Sequence, residues 1–150
     1  MRRHPNLLFI FTDEQAARTL SAYGNELIDT PNLDGFARQS TLFENAYVTQ
    51  PVCTPSRSSL VTGQYPHQNG CMANNVPLSS QTPCFPELGE FGGYRRAYFG
   101  KWHLGDEVFA QHGFDEWVSI EDQYRAYYSS DRDSFTESSY TSYLRSLGYT

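Results

Sequence analysis

Cysteine, positive charge and long apolar runs are all scarce in this 150-residue chain. The three cysteines, at positions 53, 71 and 84, are odd in number and form no C-x-x-C pair, which argues against a disulfide framework or a structural zinc site. Lys and Arg total 11 against 17 Asp and Glu, a net charge of −6, which argues mildly against a nucleic-acid binder, since such proteins usually show a basic face. A small anionic substrate remains compatible, because a local site can be positive on an acidic protein. No stretch approaches the roughly 20 apolar residues of a membrane span. The opening MRRHPNLLFIFTDEQ places basic residues before an apolar run. That run, Leu7 to Phe11, is shorter than the roughly 7–15 residues of a signal-peptide core, and acidic residues follow at once. The expectation is a cytoplasmic protein with no membrane or nucleic-acid partner. A Walker loop is absent, and Ser59 occupies the place where a Cys-x5-Arg phosphatase loop needs arginine.

What is present describes a globular chain: 39% hydrophobic, 15% aromatic and 19% charged residues. A chain of this length can bury roughly 68–70% of its unfolded surface in one domain. Leu7 to Phe11 reads as a strand covered on both faces, passing into TDEQ, a capping box with Thr12 as N-cap and Gln15 three residues on. A helix is predicted from Thr30-Pro31, turning Leu33, Phe36 and Ala37 inward, then a strand over Leu42 to Val48. Residues 64–82 read as a long surface loop, with His67 part of it. Pro86 to Phe91 reads as a short helix closed by Gly92-Gly93, and Ala97 to Phe99 as a strand running into GKWHLG. His4 is expected to be solvated and the HGFDEW segment (His112 to Trp117) to serve packing. Glu121 to Asp133 is expected to be irregular. Tyr140, Tyr143, Leu144 and Leu147 then line one face of a helix closed by Gly148. The alternation predicts an α/β fold with a mostly parallel sheet flanked by helices, and TDEQ and GKWH at the C-terminal ends of strands, where such sheets hold ligands.

The stretch Pro51 to Gly63, PVCTPSRSSLVTG, carries the most chemistry. Thr54 suits an N-cap, Pro55 the first helical position and Gly63 the helix end. Cys53 then sits at the positive end of a helix dipole, with the Arg57 guanidinium fork one turn inside. Such a turn can hold an anionic, tetrahedral group over the cysteine. A buried, inert thiol is the bland alternative for Cys53. For Asp13 and Glu14 the bland alternative is two acidic residues complementing a helix start, and for Lys101 and His103 a surface lysine and a satisfied histidine.

The run Cys53-Thr54-Pro55-Ser56-Arg57, followed by Leu60-Val61-Thr62-Gly63, resembles the sulfatase signature C-x-P-S-R with L-x-T-G. GYRRAYFGKWHLG resembles the family's second signature, G-Y-x-[ST]-x-x-x-G-K-W-H, with Arg96 where Ser or Thr is usual and Phe99 in place of a smaller residue. The resemblance runs from about 6 to 117 and implies the N-terminal part of a sulfatase catalytic domain of the alkaline-phosphatase-like superfamily, apparently truncated. Residues 118–150 form a polar, Tyr-rich segment and a terminal helix. The resemblance implies oxidation of Cys53 to formylglycine by a maturation enzyme, and attack of its hydrate on the sulfur of a small-molecule or carbohydrate sulfate ester. Arg57 would neutralise sulfate oxygens, Lys101 would hold a sulfate oxygen, and His103 would assist proton transfer. It further implies a Ca²⁺ ion, with Mg²⁺ or Mn²⁺ as alternatives, held by Asp13, Glu14 and the side chain at position 53. Glu14 departs from the usual second Asp. Because the family's remaining ligands and its acid lie far downstream, this chain alone is expected to be inactive. The rival readings are a phosphonate or phosphate ester hydrolase of the same superfamily and an inactive fragment or binding domain.

Overall fold

The computed structural model describes residues 5–149, so His4 lies outside the described residues. The chain forms two compact units, one ending at Tyr47 and the other beginning at Val48. The first unit holds 3₁₀ turns at Ala17–Thr19 and Ser21–Tyr23 and helix α1, Pro31–Ala37. Pro31 starts α1 as expected, after Thr30. The Thr30 hydroxyl does not cap α1; it donates to Asp34 Oδ1 (3.0 Å), and Ser21 Oγ donates to Asp34 Oδ2 (2.6 Å).

Four expectations for this unit are corrected. Residues 7–11 form no strand and are 43–84% exposed, because no other described segment offers them a backbone ladder. Leu42 to Val48 is likewise irregular. Thr12 caps no helix: Glu14 takes a left-handed φ of 55°, which interrupts any turn begun there. Leu33 and Phe36 on α1 face outward rather than inward.

The second unit contains α2 (Cys53–Thr62), α3 (Pro66–Asn69), β1 (Ala97–Gly100), β2 (Glu116–Ser119) and α4 (Ser139–Ser146). β1 and β2 are parallel, with Ala97 opposite Glu116 and Gly100 opposite Ser119. Residues 101–115 make the crossover that a parallel pair requires. Arg96 locks the entry to the sheet: its carbonyl accepts from Asp115 N (2.8 Å), and its guanidinium forks onto the Asp115 carboxylate at 2.9 and 3.1 Å. Tyr98 of β1 stacks on Trp117 of β2 at 4.8 Å, and both rings meet Trp102 edge-on at 5.2 Å. These aromatics close over a buried cluster of Val61, Cys71, Leu78, Cys84, Trp102 and Leu104.

The loop of residues 64–82 is therefore no mere surface excursion, because Cys71 and Leu78 reach the core. Pro86 to Phe91 is two 3₁₀ turns, Phe85–Glu87 and Gly89–Phe91, rather than one helix. HGFDEW packs as expected, and its Glu116 and Trp117 open β2. α4 starts at Ser138, whose hydroxyl accepts from Thr141 N (3.1 Å), and Gly148 beyond its end is left-handed, as the sequence predicts. Among the described residues, no helix is long and apolar enough to cross a membrane.

Candidate active site

Helix α2 begins at Cys53, two residues earlier than its sequence suggests. Val52 stands at the N-cap position, Pro55 falls in the first turn, and Gly63 closes the helix in the left-handed region at φ 69°. Thr54 is not the cap because its hydroxyl is engaged elsewhere. It donates to the His103 carbonyl at 2.8 Å and accepts from Asn75 N at 3.2 Å, in a site with no solvent exposure. The Asn74 side chain accepts from Thr54 N at 3.0 Å, so a loop residue serves this end of the helix. Cys53, half-buried, is left at the first helical position.

Arg57, one turn on, is buried at 6% exposure, and its Nη1 donates to the Lys101 carbonyl at 2.7 Å. The Tyr98 hydroxyl donates to the same carbonyl. Burial pushes that hydroxyl up to about 12, keeping it a donor. Thr54 and Arg57 thus tie the start of α2 to the Lys101–His103 turn. The Lys101 ammonium points to Glu121 Oε1 at 3.7 Å, both side chains being 15% exposed.

His103 sits at φ 58°, and its turn continues through Gly105 at 92° and Asp106 at 46°. Its ring is buried, stacked on Tyr124 at 4.2 Å, with Nε2 2.7 Å from Asn75 Oδ1. An amide oxygen in that place calls for the hydrogen on Nε2. The buried Glu107 carboxylate accepts from His103 N (2.6 Å) and Gly105 N (3.2 Å), holding the turn from inside. Burial raises its carboxyl to about 7 against these two bonds. Asn75, His103, Glu107 and Tyr124 line a small cavity. Burial, followed by the charge of Glu121, raises the Tyr124 hydroxyl, which lies within electrostatic reach of Lys101, Glu107 and Cys53 as well.

The structure therefore gathers Cys53, Arg57, Lys101 and His103 within the second unit. Asp13 and Glu14 belong to the first unit, where both are exposed. His67 is exposed on α3 and stacks on Tyr65. Four residues that sequence reasoning missed join the site: Asn75, Glu107, Glu121 and Tyr124. Only Glu107 had a local signal, an acidic residue four places after His103 in the same motif.

The hydroxyl of Thr54 yields a direct test. Thr54→Val keeps the shape but leaves the His103 carbonyl and the Asn75 N–H without that partner. Urea unfolding should show a loss of about 2 kcal/mol, since each buried group so orphaned costs about 1–3 kcal/mol. An unchanged midpoint would mean that the hydroxyl does not couple α2 to the turn.

Parallel strands, with the start of α2 tied to the Lys101–His103 turn, define a unit of the α/β class. The sulfatase family model matches residues 5–150, and the chain belongs to that family. It is 36% identical over 131 residues to the N-acetylglucosamine-6-O-sulfatase of Bacteroides thetaiotaomicron, covering 86% of this chain and 23% of that protein. It is 37% identical over 131 residues to the human N-acetylgalactosamine-6-sulfatase, covering 75% of this chain and 25% of the relative. Among solved structures, one in complex with its substrate D-glucosamine-2-N,6-O-disulfate superposes with a TM-score of 0.74 at 35% identity, over 81% of this chain and 24% of that one. The phosphonate monoester hydrolase of Agrobacterium radiobacter, at 22% identity and a TM-score of 0.64 over 91% of this chain and 27% of its own, shares the fold. The chain thus spans about a quarter of the length of the relatives it matches.

Proposed function

We propose that this chain carries the nucleophile-bearing part of a sulfatase that hydrolyses carbohydrate sulfate esters. The observation that supports this most is the folded C-x-P-S-R segment, with Cys53 opening α2 and Thr54 and Arg57 fastened to the carbonyls of His103 and Lys101. The class of substrate follows from the relatives, whose names specify sulfated amino sugars.

Cys53 is the side chain to be matured to formylglycine, which supplies a hydrated aldehyde as nucleophile. Its place at the first position of α2 keeps the positive end of the helix beside the group under attack. Arg57 fixes the Lys101 backbone, so the ammonium of Lys101 is presented from a rigid turn; a sulfate oxygen would draw it away from Glu121. His103, oriented by Asn75 and Tyr124, is the proton-handling group. Asp13 and Glu14 are exposed carboxylates on consecutive residues, and hard oxygen donors of this kind fit Ca²⁺ or Mg²⁺, though Ca²⁺ takes about 6–8 such ligands.

The modification is testable without turnover. In a host that contains the maturation enzyme, the peptide spanning Cys53 should lose about 18 Da, the exchange of a thiol for an aldehyde. A persistent thiol under those conditions would remove the main support for this reading. Parallel assays on aryl sulfate and aryl phosphate esters decide between sulfate and phosphate chemistry, and the sulfate ester should be preferred.

A further inference from the structure

We propose that Cys84, Glu87 and His112 form a binding site for a divalent cation of the zinc class, sharing no residue with the candidate active site. One ligand atom from each of the three lies within 4.8 Å of the others. Cys84 immediately precedes the 3₁₀ turn Phe85–Glu87, and three residues per turn set Cys84 and Glu87 side by side. Their proximity is fixed by the bond from Cys84 N to Glu87 Oε2 at 2.8 Å. His112 arrives from the crossover between β1 and β2, with Nδ1 3.3 Å from the same oxygen.

The approach of these two distant segments is built in. Gly113, at φ 78°, lets the His112 turn close on Glu87: a Cβ there would stand 2.8 Å from Glu87 Cγ. Arg96 clamps both arms, donating through Nη1 to the Pro86 carbonyl at 2.8 Å and forking onto Asp115 on the other side. The ligands need little rearrangement to close on an ion.

The donor set decides the class of cation. Thiolate and imidazole favour Zn²⁺ and similar ions over Ca²⁺ or Mg²⁺. Cys84 is 1% exposed and the His112 side chain 3%, while Glu87 at 34% opens the cluster to solvent. Three protein ligands would leave a fourth, tetrahedral position for water on the Glu87 side. On binding, the metal–sulfur bond replaces the S–H bond and the proton passes to solvent, while His112 gives its Nδ1 lone pair and Glu87 a carboxylate oxygen. If the Glu87–His112 contact were an ion pair and nothing more, the protein would be indifferent to such metals.

The test uses Co²⁺ as the probe, titrated into the reduced protein in a Cys53→Ala background with excess Ca²⁺ occupying hard-oxygen sites. A thiolate-to-cobalt charge-transfer band with tetrahedral visible bands should appear, saturate with a single ion and vanish when Zn²⁺ is added. Cys84→Ser should remove the band, while Cys71→Ser should leave it. Glu87→Gln and His112→Gln should each weaken binding at least about tenfold, since even supporting groups around a metal cost about 10–100-fold. No band, or a band that survives Cys84→Ser, would overturn the proposal. If Cys84→Ser fails to fold by circular dichroism, Glu87→Gln decides, and unchanged cobalt affinity in that variant would overturn it too. None of these readouts involves ester turnover, so failure here leaves the sulfatase reading untouched, and the reverse holds.

Discussion

Cys53→Ala should lower sulfate-ester turnover on the order of 10⁶-fold, the size of loss seen when a hydrolase loses its covalent nucleophile. The expectation rests on the sulfatase reading and applies to the active form of the protein. Cys53 is half-buried and absent from the buried cluster of the second unit, so its removal should leave the fold intact. Circular dichroism and the urea midpoint should match those of the parent. Unmatured protein, in which mass spectrometry finds the thiol, should be as inactive as the alanine variant. Activity within about tenfold of the parent in either form would show that another group attacks the ester, since only a group made redundant leaves so small a deficit.

The chemistry-bearing side chains were legible because they lie in short, contiguous motifs. Cys53 and Arg57 are four residues apart, and Lys101 and His103 two. What fastens them together was not legible, because it depends on contacts between segments far apart in the chain. Thr54 shows the difference. Its type and place beside Pro55 suit an N-cap, yet its hydroxyl bonds to a carbonyl 49 positions later. Asn75 reads as one more polar loop residue until its Oδ1 is found against His103. Arg96, a departure from the family signature, turns out to brace Pro86 and Asp115.

The same logic explains the errors of fold. A helix such as α4 satisfies its own backbone, so Ser138, the apolar spacing and Gly148 foretell it locally. A strand needs a neighbour that its own residues do not specify. Leu7 to Phe11 has the composition of a covered strand, but no described residue pairs with it; β1 finds its partner in β2, which joins the end of the packing segment HGFDEW to the first residues of the polar, Tyr-rich segment. The cluster of Cys84, Glu87 and His112 is hidden for the same reason. No metal-binding spacing links a cysteine to a histidine 28 positions away, and only the crossover brings them together.

Glu107 should give the protein an unusual dependence of stability on pH. Its carboxyl titrates near 7 in the folded protein because burial opposes the charge, with Glu121 adding to the rise while the two backbone donors and Arg57 work against it. The ordinary value is 4.5, so between these two pH values the native state keeps a proton that the unfolded chain has released. Stability then falls as pH rises through that window and levels off above it, a loss on the order of 3 kcal/mol for a shift of this size. Asp115 works in the opposite sense at lower pH. The Arg96 fork holds its carboxyl down near 2, so the stability it contributes is present above pH 4 and lost as pH falls below that. The two effects occupy different windows and can be separated. Glu107→Gln removes the titration, and its urea midpoint should stay flat between pH 4.5 and 7 where that of the parent declines. At the acid end the variant should be the less stable of the two, because both oxygens of the protonated carboxyl can still accept from His103 N and Gly105 N, whereas an amide nitrogen cannot accept from the N–H it faces. The deficit should narrow as the parent loses its proton. Parallel profiles for parent and variant would show that Glu107 is not the group responsible, and that the turn carrying Lys101 and His103 is held independently of its charge.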